Sequence, residues 1–268
     1  MKLAVLAVAA TVAVSPAASG TRFLQSRELP SGGFAEAGGG SAYPQLTAWA
    51  VLGLRAVGQR PSDSTARYLA AHDGGLTTAT DIALVSMAQR DPSALLGRLR
   101  AMQRPNGSIG GLVNGTAWGV LALRAAGRFV APRTIRWLLS RQSRRGGWGW
   151  SGAPDSNDTA AVIQALRSAG VRGAPVRRAL VFLLRYRNAD GGFELTSGRG
   201  SDAQSTAWAV QAFAAAGKPP PRGSLAYLRR LQRSDGSFRY SSRYVTTPVW
   251  VTAQVLPALA GKAFPLRR

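Results

Sequence analysis

The chain has 268 residues, 46% of them hydrophobic and 17% charged, a balance that supports a packed core and excludes a disordered chain. It has no cysteine and one histidine, His72, which excludes disulfides, thiolate metal sites, cysteine nucleophiles and two-histidine mechanisms. The 34 basic residues against 12 acidic ones give a net charge of +22, and every basic residue except Lys2, Lys218 and Lys262 is arginine.

Met1 to Ser19 reads as a secretory signal peptide. Lys2 supplies the positive start, and Leu3 to Val14 is apolar or small apart from Thr11. Ser15-Pro16-Ala17 or Ala17-Ala18-Ser19 offers a small-residue cleavage site. The apolar run is shorter than the roughly 20 residues that a bilayer-spanning helix needs. These features predict removal of residues 1–19 and a mature chain, 20–268, that is secreted or held in the cell envelope.

From there on, one unit recurs. Its first half is an amphipathic helix ending in a glycine turn that carries an apolar plug. Phe23-Leu24 leads to Gly32-Gly33-Phe34, Tyr68-Leu69 to Asp73-Gly74-Gly75-Leu76, and Leu99 to Asn106-Gly107-Ser108-Ile109. Trp137-Leu138 leads to Gly146-Gly147-Trp148, Phe182-Leu183 to Asp190-Gly191-Gly192-Phe193, and Tyr227-Leu228 to Asp235-Gly236-Ser237-Phe238. The second half is a helix apolar nearly all round. It starts near Thr47, Thr116, Thr159 and Thr206, and ends at Gly58, Gly127, Gly170 and Gly217. Glycine there is the left-handed residue just past a helix end. A weaker copy starts at Thr78. The last runs from Trp250 to Gly261, with a kink or early end expected at Pro257.

Six such units fit, at about 22–60, 62–91, 93–128, 132–171, 175–218 and 221–264. A linear stack would need polar end units, and neither end unit is polar on its second helix. Closure into a ring removes that need. The fold expected is an all-α, α6/α6 toroid, a single domain with six outer amphipathic helices and six inner apolar ones.

The Phe/Trp/Tyr-Leu-x3-Gln…Gly-x-Trp/Phe pattern resembles the QW motif of squalene–hopene and oxidosqualene cyclases, and so points to the terpene cyclase and prenyltransferase α/α toroid superfamily. By that resemblance, Gln142 with Trp148 and Gln232 with Phe238 brace outer helix ends to neighbouring turns. Arg187 replaces the glutamine of the fifth unit. The six-pair layout also resembles the cobalamin-carrier toroids.

The segment Asp155-Ser156-Asn157-Asp158-Thr159-Ala160 is similar to the Asp-x-Asp-Asp-Thr-Ala segment by which squalene–hopene-type cyclases protonate an alkene. The resemblance makes the middle acid the proton donor, and here that position is the amide Asn157. Asp155 and Asp158 remain as weak catalytic candidates. Asp202-Ala203-Gln204-Ser205-Thr206 repeats the arrangement, with Gln204 in the acid's place. Helix N-capping is the first reading of these residue types, and ligand contact is the alternative role for Asp155, Asn157, Asp158, Asp202 and Gln204.

Trp49, Trp118 and Trp208 share a slot two residues after the threonine, with Thr80, Ala161 and Thr252 taken as the same slot in the other units. Facing a lumen, the three indoles would hold a flat or apolar ligand; packing between helices is the other reading. Arg55, Arg124 and Arg167 share a last-turn slot suited to capping carbonyls or holding an anion. His72 reads as a surface helix-end histidine. With no second histidine or cysteine, the zinc site of protein prenyltransferases has no ligands, and no cofactor or metal is expected.

Arginines on the outer helices predict a basic exterior that attracts an anionic envelope polymer or lipid surface in preference to nucleic acid. Together these features predict an exported, non-catalytic toroid binding a small apolar or amphipathic molecule in a central cavity. The alternative is a terpene cyclase acting on an isoprenoid through a degenerate acid motif. A polysaccharide-acting toroid ranks below both for want of carboxylates.

Overall fold

A computed structural model describes residues 15–149 and 153–266; the segment Met1–Val14 of the export reading lies outside them. Among the described residues the chain forms twelve helices and no strand. The odd-numbered ones are the short amphipathic helices α1 (Pro16–Gln25), α3 (Asp63–Ala71), α5 (Ser93–Ala101), α7 (Pro132–Ser140), α9 (Ala174–Leu184) and α11 (Ser224–Arg230). The even-numbered ones are the apolar helices α2 (Pro44–Ala56), α4 (Ala79–Ala88), α6 (Val113–Ala125), α8 (Ser156–Ser168), α10 (Ala203–Ala215) and α12 (Pro248–Leu259).

Each even helix packs on the next, and α12 returns to pack on α2, so the inner ring closes. The closing pair approaches at backbone level: a Cβ on Gly53 would lie 2.7 Å from the carbonyl oxygen of Ala253. The odd helices lie outside this ring and turn only one apolar edge inward, such as Phe23 and Leu24 of α1 or Phe182 and Leu183 of α9.

The glycine turns hold the ring together through three kinds of contact. First, the plug's backbone N–H donates to the hydroxyl of the repeated threonine. The pairs are Phe34 with Thr47, Ile109 with Thr116, Trp148 with Thr159, Phe193 with Thr206 and Phe238 with Thr252, at 2.8–3.0 Å. Second, the turn glycine lies against the first turn of the next outer helix. Gly236 has φ +89°, and a Cβ there would stand 2.4 Å from the Ser19 carbonyl oxygen. Third, the expected glutamine brace is present. Gln142 Nε2 donates to Gly146 O at 2.8 Å and to Pro175 O at 2.9 Å. Gln232 Nε2 donates to Gly236 O at 3.1 Å and to Pro16 O at 2.8 Å, which ties the last turn to α1 and closes the outer ring. In the first unit an acid takes the glutamine's place: Glu28 Oε1 accepts from Ser62, Ser64 and Thr65 at the start of α3. In the fifth, the hydroxyl of Tyr227 and the amide of Asn188 meet Ser201.

Three register expectations change. Thr78 is not an in-helix anchor; it is the N-cap of α4, where its Oγ1 accepts from Asp81 N at 3.1 Å. Thr252 is the anchor of the sixth unit, so the slot two residues on is Gln254, not Thr252. And α12 passes through Pro257 to end at Leu259. Proline lacks only its own donor, and that loss is confined to the last turn. The helix then stops at the left-handed Gly261, where Lys262 N donates to Pro257 O as Gln59 N does to Leu54 O in α2.

Residues Ser15 to Ser19, assigned to the signal by sequence, build the start of α1. Ser15 is its N-cap, its Oγ accepting from Ala18 N at 3.2 Å. A chain that begins at Gly20 loses this cap and the Pro16 end of the Gln232 brace. It should be less stable than one beginning at Ser15 by about 1–3 kcal/mol, read by urea denaturation; equal midpoints would show that the brace does not hold the ring shut. Gly236→Ala forces a side chain into a left-handed turn against backbone and should cost at least about 1–3 kcal/mol in the same measurement.

Candidate functional site

The two sets of residues singled out by sequence lie at different levels of the ring. The acidic set lies at the N-terminal rim of α8 and α10. The tryptophans lie within the inner helices, Trp208 about 9 Å along its helix from Asp202 by the 1.5 Å rise per residue.

At the rim, Asp155 is the N-cap of α8, its Oδ1 accepting from Asp158 N at 2.8 Å. Asp202 is the N-cap of α10, with Oδ1 accepting from Ser205 N at 2.7 Å and Oδ2 from Ser205 Oγ at 2.8 Å. Burial pushes both carboxyls above their ordinary value of 3.8, against the opposing pull of the backbone N–H groups they cap. Asn157 and Gln204 are partly exposed in the first turns behind these caps, and Asp158 is partly buried. The residue two past the plug in the following unit reaches back over the same helix starts. Leu195 O accepts from Ser156 N at 3.1 Å, and Tyr240 O from Ala203 N at 2.7 Å. Where the ring closes, a carboxylate does this: Glu36 accepts from Val249 N at 2.8 Å and Trp250 N at 3.1 Å, an anion on the positive end of α12. Burial raises the Glu36 carboxyl as well.

The rim is therefore chemically occupied by helix ends. The donors that could steady a developing anion are paired with carboxylates and carbonyls.

On the axis, Trp49, Trp118 and Trp208 come together. Trp118 meets both others edge-on with ring centroids 5.4 Å away, and Trp49 and Trp208 are 6.1 Å apart. Each is buried. Their common slot and the parallel inner helices force this meeting, and edge-to-face packing of this kind contributes roughly 0.5–1.5 kcal/mol per pair beyond area burial.

A fourth ring joins them that sequence reasoning passed over. Phe264, just past the last helix, is buried and lies 6.0–6.3 Å from all three indoles. Its backbone N–H donates to Gln164 Oε1 of α8 at 2.8 Å. The flanking tail residues Lys262, Ala263, Pro265 and Leu266 border a crevice of about 420 Å³ with Arg55, Ala56 and Gly58 at the end of α2. The tail thus crosses the C-terminal mouth of the ring and sets one phenyl ring among the indoles. The only sequence signal for it was an apolar Phe-Pro-Leu triplet past the last helix.

Buried amides flank this aromatic box. Trp208 Nε1 donates to Gln254 Oε1 at 2.7 Å, and Gln211 Nε2 donates to Gln254 O at 3.1 Å. Gln164, Gln211 and Gln254 are fully buried. The slot arginines sit at the mouth with their guanidinium groups on carbonyls of the neighbouring helix ends: Arg55 on Met87 and Ala88, Arg124 on Ser168, Arg167 on Ala215 and Val171. Each caps the end of the next inner helix and not its own last turn, and Arg167 also reaches Val171 O just past its own helix. His72 stacks on Tyr68 at the end of α3, Nδ1 facing Tyr68 O at 2.8 Å. Among the described residues there is no cluster of three metal-ligating side chains.

No protein-family model and no curated protein matches the chain. Solved structures do. A protein from Actinoplanes is 19% identical, with a TM-score of 0.65 over 92% of this chain and 98% of its own. The type II terpene cyclase MstE from Scytonema is 14% identical, with a TM-score of 0.65 over 91% and 96%. The ent-copalyl diphosphate synthase from Streptomyces platensis is 21% identical, with a TM-score of 0.60 over 81% of this chain and 50% of its own. The fold is the α/α toroid of type II terpene cyclases. At these identities the likeness concerns architecture and leaves the chemistry to the residues above.

Asp202 generates a pH prediction. In the unfolded chain its carboxyl ionises at the ordinary value, while in the folded chain it keeps its proton to higher pH. Its contribution to stability is complete below pH 3.8 and falls as pH rises through the folded value. Asp202→Asn retains a capping oxygen and abolishes the titration. Relative to wild type, the variant should therefore gain stability in urea titrations as pH rises above 3.8. A pH-independent difference would refute the desolvated carboxylate.

Proposed function

We propose that this protein is an exported, non-catalytic α/α toroid that binds a small apolar or amphipathic molecule in the aromatic box on its axis. The observation that carries the reading is the occupant of the box. Phe264 comes from a terminal tail and not from a ring helix, and one hydrogen bond from its backbone fixes it to the ring at Gln164. A benzyl group held this way stands where an apolar guest would stand, on a segment that is not one of the helices closing the ring. The roles proposed for Trp49, Trp118 and Trp208 are the walls of that box. Those proposed for Asp155, Asn157, Asp158, Asp202 and Gln204 are to cap and shape the rim above it.

The absence of catalysis rests on chemistry. Alkene protonation needs a strongly acidic donor. Asn157, in the donor's place, has no such proton, and Asp155 and Asp202, raised by burial, are weaker acids than usual and are engaged as helix caps. The alternative reading, a cyclase acting on an isoprenoid, is favoured by the shared toroid fold alone. Export rests on Lys2 and the apolar run to Val14. A basic exterior supports an anionic envelope polymer or lipid surface as partner: Arg141, Arg144, Arg145, Arg177, Arg178, Arg229 and Arg230 are all exposed on outer helices or their ends.

Organic extraction of the chain purified from its own cells, followed by mass spectrometry, should recover one bound apolar molecule. Trp118→Ala, which opens the box wall, should lose it while remaining folded. An empty wild-type chain, or cyclic products from geranylgeranyl diphosphate that vanish in Asp155→Asn, would overturn the proposal.

A further inference from the structure

The buried amide groups beside the box carry a further inference, which rests on the ligand reading above. Gln211 is fully buried, and its Nε2 is paired with Gln254 O, but its Oε1 has no hydrogen-bond partner. An orphaned acceptor in a sealed apolar interior is rare, because the group forfeits its hydrogen bonds to water without recovering them. Gln211 lies three residues past Trp208 and therefore on the same side of α10. Gln164 holds the equivalent position on α8, three residues past Ala161, and its Oε1 already faces the axis, where it accepts from the tail's Phe264 N–H. Two neighbouring inner helices thus present amide oxygens at one level of the ring. One is unpaired, and the other is paired only with the tail.

The electrostatics of the box are neutral. The buried charged residues among those described are Glu194 and Asp202, both in rim turns. Of the cations at the mouth, the guanidinium groups of Arg55, Arg124 and Arg167 already donate to backbone carbonyls, and Lys262 borders the outer crevice. Nothing in the box balances a phosphate, and an unpaired buried anion is costly.

We infer that the box selects a neutral apolar molecule carrying one hydroxyl or N–H group, which donates to the unpaired Gln211 Oε1. A free alcohol fits; a phosphate or diphosphate ester does not.

The test uses probes matched to the benzyl side chain that fills the site. In the full-length Phe264→Gly chain, toluene, benzyl alcohol and benzyl phosphate are titrated with calorimetry and indole fluorescence as readouts. Benzyl alcohol should bind about 3- to 10-fold more tightly than its own partition from water predicts relative to toluene, the scale of one recovered hydrogen bond. Benzyl phosphate should bind at least about 10-fold more weakly than the alcohol. Gln211→Leu should erase the alcohol's advantage and keep toluene affinity; if that chain melts, Gln211→Met, closer in shape, makes the same comparison. Toluene binding with no alcohol preference, or equal binding of the phosphate, would overturn this inference and leave the ligand box standing. Failure of all three probes to bind would overturn the box itself.

Discussion

A single hydroxyl sets the phase of five of the six repeats. The plug residue of every glycine turn is buried, and a buried backbone N–H without a partner costs about 1–3 kcal/mol. In five units the threonine of the inner helix accepts that N–H at 2.8–3.0 Å. The same hydroxyl can donate back to its own helix, as Thr116 does to Leu112 O at 2.7 Å. With the turn fixed there, its glycine meets the next outer helix and its following residue reaches the previous inner helix. Closure of the ring is the sum of these local contacts. It needs no dedicated closing element beyond Glu36 and the Gln232–Pro16 brace, where the first and last units meet.

The hydroxyl also determines what reaches the axis. Once the threonine faces its turn, the residue two positions on faces inward, and alternate units place an indole there. Interiors pack at crystal-like density. Three large rings from units one, three and five therefore require small or slender neighbours, which Ala161 and Gln254 provide. The gap that remains takes one phenyl ring, and the tail supplies it.

The rim explains why acidic residues in a cyclase-like position need not serve cyclase chemistry. A carboxyl that caps a helix is held ionised by N–H groups, whereas a proton donor must keep its proton until substrate arrives. Asp155 and Asp202 sit between these demands: burial raises them and capping lowers them. Burial outweighs capping, so both carboxyls lie above their ordinary value; the position that the cyclase resemblance gives to the proton donor is an amide in both units, Asn157 and Gln204.

The sequence by itself determined the repeat, the inner and outer helix types and the glycine stops, because periodicity and turn chemistry act over a few residues. Through its resemblance to the QW motif it marked Gln142 and Gln232 as braces. It misplaced Thr78 and Thr252 by reading spacing where cap geometry decides, and it missed Glu28, whose acid replaces a glutamine only because three hydroxyls of α3 surround it. Tertiary structure alone decided that the three indoles meet, that Phe264 joins them, that Ser15–Ser19 belong to α1 and that Gln211 keeps an unpaired oxygen. Each depends on contacts between residues dozens to hundreds of positions apart, whose partners no local pattern names.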